Sequence, residues 1–412
     1  MTEGRRVSGQ MPAPSKSGDY GMLFESHYQP VDGPKSYSES SYRFLARSTR
    51  RSLVAVRQVL EEWYARLPDD ERTDLRRRFR SKSDTQHLSA FFELWAHELL
   101  LRSGCVVEAV HPRLGEGLGR PDFLVCTRSG LSLYVEVTAS SNRFPIPDST
   151  RIRPVLDAIN DLDSPDFFLN ILRQSGEPRT SPPIRQLRAI LTRWLAQLDH
   201  AAATAALERG AFDELPKICW DWDGWEIELT AHPKAKLRGA AGVRTLGIPG
   251  IYTGFSASAD TLRDRIEAKA GRYGRMPHPY LLVINNYDMC LDLDDVHQAL
   301  LGNRNGVLET DGARASRLDN TADAVWVRQG QPFNRQLSAV LVAKQVLPSS
   351  PSGEFAVVYH NPWAWDPLPE GLLGISAFLP RDGRAAEGSG QPAAEILGLP
   401  SGWPHDADQR PR

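Results

Sequence analysis

The sequence predicts an α/β protein in which a mixed β-sheet is flanked by helices. Two patterns carry that expectation: one long apolar helix is followed by three short strand-like segments, and helical and strand-like segments then alternate to about residue 362. A third observation is compositional. With 41% hydrophobic and 24% charged residues in 412, the chain can build a sizeable core and is not fibrous, collagen-like or wholly disordered. At roughly 150 residues per domain, the length allows two to three domains or one large domain with insertions.

Residues 1–40 are rich in Ser, Gly, Pro and Tyr without apolar periodicity, and read as a disordered N-terminal arm. Leu45, Leu53, Val56, Leu60 and Trp63 recur at helical spacing, which makes 41–82 a helical segment closed by the basic run Arg76, Arg77, Arg78 and Arg80. Ser83 and Asp84 are capping residues for a helix that runs to Gly104. It is apolar nearly all round, so it is expected to be sandwiched between other elements. Strands are expected at 105–112, 122–127 and 131–139, the last two joined by the turn Arg128-Ser129-Gly130. After a Pro-rich stretch come a strand at 167–172, a long helix at 184–210, a strand at 225–233, a helix at 258–274, a buried strand at 280–287 and a short helix at 294–302. Strands at 337–347 and 354–362 complete either the same sheet or an appended one. The resulting organisation is a core over 83–290 with an insertion at about 145–255, a C-terminal α/β extension over 291–380 and a disordered tail over 381–412.

Charge and cysteine usage narrow the function classes. Forty-nine Lys plus Arg against 51 Asp plus Glu give a formal charge of −2, so any nucleic-acid site must be local. Only eight of those 49 basic residues are lysines. The basic run at Arg76 to Arg80 reads as a solvated face. The four cysteines are too widely spaced for a zinc pair or a dense disulfide framework and read as small core residues in a reducing cytosol. With no apolar run of the ~18 residues that cross a bilayer, a cytoplasmic location is expected.

The chemistry is expected between Phe91 and Thr138. Glu136 and Thr138 lie two apart on one strand and share a face, and Asp122 opens the neighbouring antiparallel strand. Two such carboxylates can share a hard divalent cation, Mg²⁺ or Mn²⁺, which polarises a phosphate and lowers the pKa of a bound water. Helical spacing does not decide whether Glu93 or Glu98 faces this site. His97 reads as a surface or packing histidine. A second Pro165-Asp166 and Glu228-Leu229-Thr230 pair is interrupted by a long helix and is the weaker candidate. The glycines of 115–119 precede a strand, which is the wrong context for a phosphate loop, and read as a flexible loop beside Asp122. Trp220, Trp222 and Trp225 read as packing residues.

A helical Glu, a Pro-Asp at a strand start and a downstream Glu-x-Lys in a hairpin define the PD-(D/E)xK nuclease superfamily. Glu93, Pro121-Asp122 and Glu136-Val137-Thr138 resemble that series, and the phrases RIEAKAGRYG, HPYLLVINN, DDVHQALLG and YHNP look like those of uncharacterised bacterial proteins with such a domain. The resemblance implies a restriction-endonuclease-like core and metal-dependent hydrolysis of phosphodiester bonds, DNA ahead of RNA. It also implies that Asp122 and Glu136 bind the metal with help from Glu93. The chain departs from the family at Thr138, where the family has lysine. That lysine orients the attacking water and stabilises phosphate charge, which a neutral hydroxyl cannot do. Lys269 or Lys82 would replace it, with Thr138 contributing at most a hydrogen bond. The alternative is a catalytically inactive nuclease fold that binds nucleic acid or a protein partner.

Overall fold

The computed structural model describes residues 21–25, 29–114, 119–140, 149–234, 244–247, 258–302, 324–381, 384–400 and 403–404. Three helices lead in: α1 (Ser41–Arg47), α2 (Arg51–Tyr64) and α3 (Asp69–Phe79). Ser40 caps α1 by accepting the Arg43 N–H at 3.2 Å. Helix α3 opens on Asp69, Asp70 and Glu71 and closes on Arg76 to Arg78, the charge order its dipole favours. The long helix α4 (Asp84–Arg102) is buried on nearly every side. Strands β1 (Val106–Val110), β2 (Phe123–Cys126) and β3 (Ser132–Ser140) form the expected antiparallel meander.

The chain then leaves the main sheet. Helix α5 (Arg153–Asn160), β4 (Phe167–Gly176), α6 (Ile184–Leu195), α7 (His200–Glu208), β5 (Lys217–Trp222) and β6 (Trp225–Pro233) build a three-stranded sheet, β4-β6-β5, around its own core of residues such as Leu156, Leu187 and Ile227. The single helix expected over 184–210 is two helices. Asp199 restarts the second by accepting the N–H groups of Ala201 and Ala202 at 2.9 and 3.1 Å. Helix α5 and the edge strand β5 were not expected.

The main sheet resumes through α8 (Ser258–Ala270), β7 (Tyr280–Asn286), α9 (Leu293–Leu301), the small hairpin β8 (Val327–Arg328) and β9 (Gln331–Pro332), then β10 (Ala339–Lys344), β11 (Phe355–His360), β12 (Ala377–Arg381), β13 (Arg384–Gly388) and α10 (Ala393–Ile396). Its order is β1-β2-β3-β7-β10-β11-β12-β13, with β7 parallel to both β3 and β10. Of the two placements open for the C-terminal strands, the structure takes the first, because β10 and β11 continue the main sheet. Alternation splits the sheet into two faces. Leu133, Val135, Leu281, Val283 and Leu341 pack with α4 and the N-terminal helices, whereas Tyr134, Leu282, Ile284 and Val340 pack with Leu262 and Ile266 of α8.

The two ends of the chain correct the sequence reading where they are described. Leu23 and Phe24 are buried in the α2–α4 core, and their backbone N–H groups donate to the Glu61 carboxylate at 2.8 and 2.7 Å. A carboxylate on a neighbouring helix fixes this part of the supposed arm, which local composition does not reveal. In the supposed tail, β13 pairs with β12 and Leu397 and Leu399 enter the α4-side core. No helix among the described residues is long and apolar enough to cross a membrane.

Candidate active site

Register brings the two central carboxylates together. Phe123 faces Val135 across β2 and β3, so the next step outward sets Asp122 opposite Glu136 on the face covered by α8. Asp122 is held by the Val137 N–H, which donates to its Oδ2 at 2.6 Å. Glu136, only 2% exposed, is surrounded by donors from α8 and the turn after it. Lys269 Nζ donates to Oε1 at 2.5 Å, Arg272 Nη1 reaches the same oxygen at 3.4 Å, and the Tyr273 hydroxyl donates to Oε2 at 2.5 Å. Burial and this carboxylate together push the Tyr273 phenol well above its usual range, so it remains a donor. Thr138 accepts a hydrogen bond from Arg265 Nε at 2.9 Å.

These α8 residues were missed by sequence reading, Lys269 excepted. Arg265, Lys269 and Tyr273 are four apart and share one stripe of the helix and its extension. That spacing was visible, but polar residues on a helix face ordinarily point to solvent. Here the neighbouring stripe of Leu262, Ile266 and Ala270 turns them onto the sheet. Lys82 is exposed and does not line the cleft, which leaves Lys269 as the lysine beside Glu136.

Glu93 and Glu98 part company. Glu93 lines the cleft with Asp122, and both its oxygens are taken by Arg78, at 2.6 and 3.0 Å. Glu98 is fully buried elsewhere, paired with Arg66 and Arg102. The basic run is therefore not a bare solvated face: Arg78 bridges Asp74 and Glu93, and Arg80 pairs with Glu25. His97 packs against Phe123, with burial pushing its pKa down to about 4, the behaviour of a packing histidine. His111, unremarked in the sequence, has φ of 49° and sets its Nε2 3.8 Å from Glu93 and its Nδ1 3.7 Å from Asp122. Most of the glycine loop, residues 115–118, lies outside the described residues.

The cleft has a volume of about 790 Å³ and opens where β3 ends, between α1, α4 and α8. Burial, then repulsion from Glu136 and Glu93, pushes the Asp122 carboxyl up to about 7. The sign of the stability effect follows. Between about 4 and 7 the folded chain keeps a proton that the unfolded chain has lost, so stability falls as pH rises through that window and levels off above it. Thermal melts in chelator should show this decline in the wild type and a shallower one in Asp122→Asn.

An ionised carboxylate has about four acceptor sites, so Asp122 and Glu136 keep lone pairs beyond the bonds described and could hold a hard cation. Mg²⁺ suits such a pair because it uses one or two carboxylates and completes its shell with water and phosphate oxygens. Among the described residues, no group of three or more His, Cys, Asp and Glu side chains is placed to hold a metal ion. Any cation here would depend on the two carboxylates and on the substrate. No protein-family model, no curated protein and no solved structure matches this chain.

Proposed function

We propose that this protein is a metal-dependent nuclease related to the PD-(D/E)xK superfamily, with its active-site lysine moved from the β3 strand to α8. The observation that carries this reading is the Lys269 ammonium 2.5 Å from Glu136 Oε1, on the same sheet face as Asp122. The order of elements supports it once the α5–β6 insertion is set aside: a helix, three antiparallel strands, a helix, then a strand parallel to the third. DNA is favoured over RNA on the resemblance alone.

In this reading, Asp122 and Glu136 would hold Mg²⁺ or Mn²⁺, and Glu93, whose oxygens are taken by Arg78, would assist only through its charge beside Asp122. The bound ion supplies charge to polarise the phosphate and to acidify a water. Lys269 has three N–H donors, and one is committed to Glu136. The others are available to orient the attacking water and to stabilise the charge that builds on the phosphate oxygens. Arg265, anchored on Thr138, adds a second fixed positive charge on the cleft lining.

Calorimetric titration of Mg²⁺ and Mn²⁺, followed by plasmid nicking on the same samples, tests the assignment. The wild type should bind and nick, whereas a folded Asp122→Ala/Glu136→Ala variant should lose binding and nick about 100-fold less or worse. Full metal-dependent nicking by that variant would place the chemistry elsewhere. A binding protein without catalysis is the second reading, favoured by the pairing of Glu93 with Arg78, which occupies both oxygens of that carboxylate. It predicts salt-sensitive nucleic-acid binding that chelator leaves unchanged.

A further inference from the structure

We propose that the cleft accepts unpaired nucleotides, so that the substrate is a single strand or a strand end and not the interior of a duplex. This inference rests on the nucleic-acid reading above and specifies its substrate. Apolar and aromatic side chains line the cleft among its charged residues, Tyr37, Phe44, Phe92, Tyr287 and Leu347 among them.

Two observations connect that lining to nucleobases. Phe44 is only half-buried, and its ring has the guanidinium groups of Arg47 and Arg50 over it at 5.3 and 5.8 Å, which places cations beside an open aromatic surface. Tyr37 is likewise half-buried at the cleft. Half-buried aromatic rings with cations beside them suit the flat face of a base. Base faces become available for such stacking only when the strand is unpaired.

Charge points the same way. Surfaces that grip duplexes are broad and strongly positive. This cleft instead mixes Lys35, Arg153, Arg265 and Lys269 with Asp84, Glu93 and Asp122. A backbone phosphate at Lys269 and Arg265 with its base against Phe44 or Tyr37 would use the charged and the aromatic lining together.

The test compares a fluorescein-labelled oligo-dT strand with a blunt duplex of equal length. Binding is measured in chelator, and cleavage is then measured with Mn²⁺. The strand should bind about tenfold more tightly than the duplex or better, and Phe44→Ala and Tyr37→Ser should each weaken strand binding about fivefold to 100-fold with duplex binding unchanged. Tyr37→Ser is the independent check on a folding defect in Phe44→Ala, since Tyr37 packs on the insertion core and Phe44 on the α4-side core, and circular dichroism spectra confirm that each variant is folded. Equal binding of strand and duplex, or variants that bind the strand as the wild type does, would overturn the inference and leave the nuclease reading standing. Strand binding without Mn²⁺-dependent cleavage would overturn the catalytic reading only. Binding of neither nucleic acid would overturn both.

Discussion

Lys269→Met should lower metal-dependent cleavage by about 100- to 1000-fold, the usual cost of removing one fixed donor from a developing oxyanion. The substitution keeps the length of the side chain and its packing on α8 while deleting the charge. Glu136 would then retain the Tyr273 hydroxyl and the longer contact to Arg272, whose side chain is half exposed and screened by water. A buried carboxylate with a weakened counter-charge resists ionisation. The variant should therefore also require a higher pH for metal binding. Lys269→Arg, which restores the charge, should recover part of the activity, and Lys82→Ala should cleave as the wild type does. If Lys269→Met cleaves at the wild-type rate, the lysine has not moved to α8. Single-turnover rates across a pH series would separate the loss of charge from a loss of fold.

Trp95→Ala should destabilise the protein by about 3–5 kcal/mol, the range for truncating a fully buried large aromatic residue. Trp95 is 0% exposed, stacks on Phe92 with ring centroids 5.3 Å apart, and donates its indole N–H to the Pro351 carbonyl at 2.9 Å. The truncation leaves both a cavity and an unpaired carbonyl acceptor between α4 and the β10–β11 connection. Trp95→Phe would remove the hydrogen bond and keep most of the volume, so about 1–2 kcal/mol is expected. Urea titrations followed by circular dichroism would read both variants. A loss below about 1 kcal/mol for Trp95→Ala would mean that α4 is not the central packing element described. Because Phe92 lines the cleft, a folded Trp95 variant should also bind oligo-dT less tightly.

The part of the site most legible from sequence was the pairing of Asp122 with Glu136. A short turn between two strands of period two leaves few registers, and the one formed sets these residues face to face. Lys269 was legible because lysines are scarce in this chain. Arg78 was not, because its contact with Glu93 depends on how α3 packs on α4, and spacing along either helix carries no trace of that. Burial of Leu23 and Phe24 was invisible for the same reason, since the Glu61 carboxylate that holds them lies more than a helix away. The break before α7 is a different kind of miss. Asp199 is a good helix cap inside a run of apolar periodicity, and the period outweighed the cap. Strand β5 was hidden by its three neighbouring tryptophans, which read as a packing cluster and not as an edge strand carrying two of them on one face.

The parallel neighbours β3 and β7 are separated in the chain by the whole insertion, which has a core of its own. Closing so long a loop adds little to the equilibrium cost, about 0.6 kcal/mol per doubling of length, but pairings this distant in sequence form slowly. During synthesis the Asp122–Glu136 pair leaves the ribosome first, while Lys269 follows Glu136 by 133 residues and reaches it only when α8 docks on the sheet. Folding in N-to-C order would let the insertion consolidate as a unit before that closure. On the proposed reading, competence for cleavage would wait for synthesis of α8, which ends at residue 270 of 412, and a nascent or truncated product ending before α8 carries the carboxylates without the charge that completes them.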